Sequence, residues 1–333
     1  MRAVLLRSFG PPSGLVATDL AEPVAGPGQV LIDVEFASIT FVETQVRAGT
    51  APNPAMLPRL PVVPGNGVGG RIAAIGAGVD PALLGTLAVS TTGGTGGYAE
   101  LVAVDAAGAI GVPEGLDLAE AVALLADGRT AMSLMRLAAP KAGETVLVEA
   151  AAGGVGSLLV QLARTAGARV VAAAGGPRKL ALATELGAHI TVDYTLNDWA
   201  DRLRSETIDI VFDGVGGAIG RGAFDLVRAG GRFCSFGLAS GAFTQISPAE
   251  AAERSITVIR GGPVNSEDMR ELTRAALAEG AASRLRPVIG QTFPLERAAD
   301  AHGAIEARAT IGKTLLTVHV ILRRHDEGSE LPC

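Results

Sequence analysis

From Thr145 to Phe236 the chain alternates short apolar runs with amphipathic stretches, and this alternation constrains its fold more than any other feature. Residues 145–149, 169–174, 189–192, 208–212 and 232–236 read as strands, and helices are expected over about 155–166 and 178–186. Strands that alternate with helices imply βαβ crossovers and a doubly wound parallel sheet, an α/β architecture. The first third reads differently. Residues 1–7, 29–36, 70–76 and 99–104 have strand character, and the proline-rich stretch 52–64 reads as a surface loop. Two short helices are expected at 119–125 and 130–137, one more at 267–279, and a final strand at 312–318. The tail from Arg323 is polar and expected to fray.

A glycine loop, Val148-Glu149-Ala150-Ala151-Ala152-Gly153-Gly154-Val155-Gly156, joins the first strand of the alternating series to its first helix. In that setting Gly153 lets the backbone approach a pyrophosphate, and Gly156 lets the helix pack close to the strand. The unpaired N–H groups of Ala152 to Gly156 and the positive end of the helix dipole face the phosphates. Ala151 stands where the first glycine of the dinucleotide fingerprint falls, so the strict motif is not met. A plain tight turn is the competing reading, and the surrounding series argues against it.

The end of the second strand indicates which dinucleotide. An NAD enzyme places an acid there for the ribose 2′-hydroxyl. Here the segment is Ala174-Gly175-Gly176-Pro177-Arg178-Lys179, with no acid and two cations. Gly175 leaves room for a 2′-phosphate, and Arg178 or Lys179 can neutralise it, so NADPH is expected. Ordinary solvated charge is the alternative, but cations at a helix start oppose its dipole.

Composition removes several function classes. A length of 333 residues suggests two domains. A net charge of −6 without a basic cluster argues against a nucleic-acid partner. No apolar run reaches the ~18 residues of a membrane span, and the start lacks a secretory leader's apolar core, so a soluble cytoplasmic protein is expected. Cys234 and Cys333 are the only cysteines, too few for a disulfide framework or a cysteine-rich zinc site. His189, His302, His319 and His325 form no constellation and are read as structural or solvated. The loop Ser90-Thr91-Thr92-Gly93-Gly94-Thr95-Gly96-Gly97 lacks the lysine ending of a phosphate loop and is read as a flexible turn.

The glycine loop, together with Gln161-Leu162-Ala163, Gly167-Ala168, Lys179, Gly97-Tyr98-Ala99-Glu100, Thr130-Ala131, Gly187-Ala188, Asp213-Gly214-Val215-Gly216 and Gly312-Lys313-Thr314, resembles the zinc-independent quinone oxidoreductases of the medium-chain dehydrogenase/reductase superfamily. The likeness runs from about residue 1 to 318. It implies a GroES-like, β-rich catalytic domain from residues 1–122 and 264–333, and a Rossmann NADPH-binding domain from 123–263. It places Lys179 at the 2′-phosphate, Tyr194 near the adenosine phosphate, Thr130 close to the nicotinamide, and Gly237 and Lys313 at the cofactor. It also implies a homodimer through the Rossmann sheet edge, here the β-rich segment 255–260.

The departures carry information too. Where zinc alcohol dehydrogenases of the superfamily hold a catalytic metal, this chain has Thr40, Asn66 and Ala126, which is no zinc ligand set. No metal is expected, and alcohol oxidation is disfavoured without a Lewis acid. Hydride transfer from NADPH to a quinone or an α,β-unsaturated carbonyl is the expected reaction, with Thr40, Asn66 and Thr130 polarising the acceptor. Asp127 is read either as a helix N-cap or as part of the catalytic set. An enoyl-thioester reductase of secondary metabolism and a non-catalytic NADPH-binding or redox-sensing protein are the alternatives. The enoyl reductases' proton-donating tyrosine has no evident counterpart here.

Overall fold

The computed structural model describes residues 1–261 and 265–318. The polar tail from Arg323, His319, His325 and Cys333 lie outside the described residues. In chain order the strands of the first part are Arg2–Leu6 (β1), Leu15–Asp19 (β2), Gln29–Ile39 (β3), Gly67–Ile75 (β4), Leu87–Thr91 (β5), Leu101–Asp105 (β6) and Ile110–Gly111 (β7). Helix α1, Phe41–Ala48, leaves the end of β3. Helix α2, Leu118–Ala138, leads into Thr145–Glu149 (β8), Gly154–Thr165 (α3), Arg169–Ala174 (β9), Pro177–Glu185 (α4), Ile190–Asp193 (β10), Ile208–Asp213 (β11), Gly217–Leu226 (α5), Val227–Ser235 (β12), Pro248–Glu253 (α6) and Thr257–Arg260 (β13). The chain closes with Ser266–Ala281 (α7), Ile289–Pro294 (β14), Ala298–Glu306 (α8) and Lys313–Thr317 (β15).

Two large sheets result. The first is parallel, with strand order β10-β9-β8-β11-β12-β13, the doubly wound arrangement whose order reverses between β8 and β11. Every residue of β8 and β11 is buried, because helices cover both faces and a central strand must be apolar on both. The second sheet, β14-β15-β3-β4-β5-β7 with β6 on β3, is mostly antiparallel. Strand β3 alternates half-buried and buried positions along most of its length, as a sheet with one packed face requires. Thus the first and last parts of the chain share one sheet. The small pair β1-β2 stands beside them.

Two expected helices at 119–125 and 130–137 are one continuous helix, α2. Gly128 does not break it: α7 packs so closely that an added Cβ would lie 2.8 Å from Ala276 Cβ. Asp127 is therefore mid-helix, and the N-cap is Asp117, which accepts from Ala119 N at 2.8 Å. His302, read as structural or solvated, is fully buried in α8 against Tyr98. No helix among the described residues is long and apolar enough to cross a membrane.

Candidate active site and cofactor bed

The glycine loop leaves β8 at the reversal of strand order, where open α/β sheets bind their ligands. Ala151 N still pairs with Ala173 O, so the loop keeps strand pairing at its start. The first helical amide with a partner is Ser157, bonded to Gly153 O at 2.9 Å. The amides of Val155 and Gly156 precede it at the positive end of α3, with no partner among the described residues. Gly156 is required by packing, since a Cβ there would come within 2.2 Å of Ala150 O. The loop is held from across the molecule: Gly312 N donates to Ala152 O at 2.7 Å, which sets the start of β15 over it.

At the end of β9, Lys179 stands near the charges of Arg178 and of Arg308, which the sequence did not indicate. Lys179 Nζ donates to Arg308 O at 2.7 Å. Burial, then the charges of Arg308 and Arg178, pull the Lys179 pKa below its ordinary value. Three cations that repel one another form a bed suited to a phosphate. Tyr194 stands beside it, its pKa raised mainly by burial and partly by Glu149, with Arg308 opposing. Gly175 packs against this neighbourhood, 3.5 Å from Tyr194 Cε2 as measured from an added Cβ. Asp193, at the end of β10, is the nearby acid, and it is occupied by Gly176 N and by the amide and hydroxyl of Thr195. Gly237 has a packing explanation: a Cβ there would lie 2.4 Å from Gly214 O, so only glycine lets the exits of β11 and β12 approach.

The acceptor side is organised by a residue that sequence reading missed. Glu43 accepts from Thr40 N at 2.6 Å, from Thr40 Oγ1 at 2.7 Å and from Asn66 N at 2.9 Å. Its signal was present as the capping-box spacing Thr40-x-x-Glu43. Burial pushes the Glu43 carboxyl up, against the lowering pull of Thr40, of the Lys313 charge and of Asn66 N–H. Thr40 and Asn66 are thereby brought together.

Thr40 spends its hydroxyl proton on Glu43. Thr130 Oγ1 donates to Ala126 O at 2.8 Å, one turn back in α2. Neither hydroxyl is then a ready donor to an acceptor. Asn66 Oδ1 accepts from Gly94 N at 2.7 Å, which leaves its Nδ2 as the uncommitted donor of the three. Asp127 and Lys313 meet each other: Nζ lies 3.0 Å from Oδ1, with side chains 12% and 4% exposed. The other Asp127 oxygen lies against Gly154, so close that a Cβ there would sit 1.9 Å from it. Lys313 is therefore paired with Asp127 beside the glycine loop, and its charge also reaches Glu43. Tyr98 is fully buried on His302, its hydroxyl 3.0 Å from Nε2, so it faces no substrate.

Two cavities flank α2. One, of about 650 Å³, opens at the carboxyl ends of β12 and β13 beside Thr130, Ser235 and Phe236. The other, of about 560 Å³, opens at the end of β5 beside Thr91 and Thr92. Among the described residues no group of three or more His, Cys, Asp or Glu side chains is placed to hold a metal ion.

Two family models match parts of the chain. Residues 26–114 fit the family model "Alcohol dehydrogenase GroES-like domain", and residues 154–278 fit "Zinc-binding dehydrogenase". A probable quinone oxidoreductase of Schizosaccharomyces pombe is 34% identical over 328 residues, covering 94% of this chain and 96% of its own. A 2-haloacrylate reductase of a Burkholderia species is 29% identical over 327 residues, covering 94% and 98%. The crystal structure of Escherichia coli quinone oxidoreductase complexed with NADPH superposes with a TM-score of 0.87 at 26% identity, covering 96% of this chain and all of the other.

Proposed function

Because this chain belongs to the medium-chain dehydrogenase/reductase superfamily, on its quinone oxidoreductase side, we propose that it is an NADPH-dependent, zinc-free reductase of quinones or α,β-unsaturated carbonyl compounds. The observation that carries the cofactor reading is the cluster of Arg178, Lys179 and Arg308 at the end of β9, together with the open amides at the start of α3. The residues fit the group: the amides of Val155 and Gly156 take the pyrophosphate, and the cation cluster takes the 2′-phosphate.

Bound NADPH supplies the hydride, and the acceptor takes it with one proton. The chain's own residues then have three tasks. The glycine loop and the strand start that crosses it fix the dinucleotide in place. Asn66 Nδ2 donates to the acceptor carbonyl, where charge develops. Glu43 positions that asparagine by holding its backbone N–H, and it aligns Thr40 with the same carboxylate. The absence of zinc ligand chemistry at Thr40, Asn66 and Ala126 supports a metal-independent step. The quinone oxidoreductase relative favours the quinone arm and the haloacrylate reductase the unsaturated-carbonyl arm.

The decisive experiment follows NADPH oxidation against a panel of quinones and enones, with and without a chelator, beside elemental analysis of the protein. Turnover that survives chelation, with no stoichiometric zinc, is the expected result. Tight zinc at one per chain overturns the metal-free reading. No oxidation with any acceptor favours a non-catalytic NADPH-binding role. Asn66→Leu should lower kcat/KM by roughly 1–3 kcal/mol, about 5- to 150-fold.

A further inference from the structure

Arg129 lines both cavities that flank α2. It is half-buried, and among the described residues its guanidinium makes no hydrogen bond and no ion pair. Burial pulls its pKa below the ordinary arginine value, with Asp127 opposing. Asp127 is already held by Lys313. A guanidinium presents five N–H donors in a planar fork, and withdrawing them from water without acceptors is costly.

Its direction separates it from the cofactor phosphates. Asp127 faces Gly154 of the glycine loop. Residues two apart in a helix lie about 200° round its axis and do not share a face. Arg129 is thus turned from the pyrophosphate bed to the cavities, and the cations of the 2′-phosphate bed belong to α4 and to the chain after α8. Arg260 adds positive charge to one cavity and Arg270 to the other, where Asp105 is the acid present. Phe236, Phe243, Leu134 and Leu272 provide an apolar wall beside the cation. A cation forked for two-pronged contact next to an apolar wall suits an acid with a hydrocarbon body.

We propose that Arg129 is an anion-binding residue of the acceptor site, and that the preferred acceptors are α,β-unsaturated carbonyl compounds bearing a free carboxylate, which this guanidinium grips. The proposal rests on the reductase reading above. It places substrate selection on a charged pair, because a neutral acceptor in the same place leaves the guanidinium without acceptors.

The test compares 4-oxo-2-pentenoate with its methyl ester, which keeps the conjugated system and removes the charge. The parent is expected to favour the acid by about tenfold or more in kcat/KM, the scale of one charge-assisted pair. In Arg129→Met this acid-to-ester ratio should collapse toward one, and Arg129→Lys should restore part of it. Thermal unfolding verifies that both variants fold. Calorimetry of 4-oxopentanoate binding to the NADP⁺-loaded protein gives a readout without turnover, expected to weaken about tenfold or more in Arg129→Met. A parent that treats acid and ester alike, or an unchanged ratio in Arg129→Met, overturns the proposal. So does a variant whose main loss is NADPH affinity, which assigns Arg129 to the cofactor. If no acceptor is reduced, the reductase reading fails, and calorimetry alone then decides the carboxylate site.

Discussion

Lys313 Nζ lies 3.0 Å from Asp127 Oδ1, which ties the first residue of β15 to the middle of α2. The pair joins the sheet built from the two ends of the chain to the helix that leads into the parallel sheet. It does so beside Gly154, so the glycine loop and both sheets meet at one charge contact.

Breaking this pair from one side strands a buried charge. Asp127→Asn leaves the Lys313 ammonium without its partner at 4% exposure, which is expected to cost about 3–5 kcal/mol of stability. A double replacement, Asp127→Leu with Lys313→Met, removes both charges and should cost clearly less. Urea unfolding of the three proteins reads this directly. A single variant as stable as the parent would show that the pair contributes no net interaction.

Glu149 predicts a loss of stability as pH rises above about 4.5. Burial, then the charge of Asp213, pushes its pKa well above the ordinary 4.5. The folded state keeps a proton that the unfolded chain has already released, so stability falls as pH rises above about 4.5 toward the folded pKa. The slope is at most about 1.4 kcal/mol per pH unit for one group. Glu149→Gln is neutral throughout and should show a flatter dependence of Tm between pH 5 and pH 8. Parallel pH curves for parent and variant would mean that Glu149 is ionised when folded.

The cation cluster after β9 predicts a cofactor preference. NADPH should bind about tenfold or more tightly than NADH, and Lys179→Ala should narrow the gap by about 1–2 kcal/mol. Arg308→Ala should narrow it as well, although Arg308 lies more than a hundred residues away in sequence. Fluorescence titration with both dinucleotides measures this. Equal affinities in the parent would remove the 2′-phosphate from this bed.

Strand β13 is the edge of the parallel sheet, and its residues are exposed or half-buried. An open edge of this kind invites pairing with a second copy. A homodimer through 257–260 is expected, and Val258→Pro should shift light scattering toward the monomer. A parent already monomeric at micromolar concentration would rule the interface out.

Much of the nucleotide half could be read from the residues alone. The strands of the parallel sheet are continuous apolar runs, and their periodicity survives any tertiary context. The glycine loop and the cations of Arg178 and Lys179 are contiguous motifs, legible for the same reason. The acceptor half was legible only in part. Thr40, Asn66, Thr130 and Asp127 were singled out, but their hydroxyls, amide and carboxylate are mostly committed to partners: Glu43, Gly94, Ala126 and Lys313. Glu43 lay hidden in a capping box, a local pattern that says nothing of Asn66 arriving twenty-three residues later. The split of α2 into two helices arose because Asp127-Gly128 looks like a break, while the close approach of α7 makes glycine the residue that fits there.

The amino-acid sequence by itself determined the alternation of strand and helix and the glycine loop between the first strand and helix of that series, because each depends on neighbours within a few positions. The tertiary structure decided which polar groups remain available. Hydrogen-bond capacity is finite, and a donor's partner is chosen among groups that folding brings within about 3 Å. Arg308 joins Arg178 and Lys179 across more than a hundred residues, Lys313 closes on Asp127 across 186, and Arg129 lines two cavities with no hydrogen bond or ion pair among the described residues. None of these follows from spacing along the chain, since each depends on where the two sheets are held relative to α2.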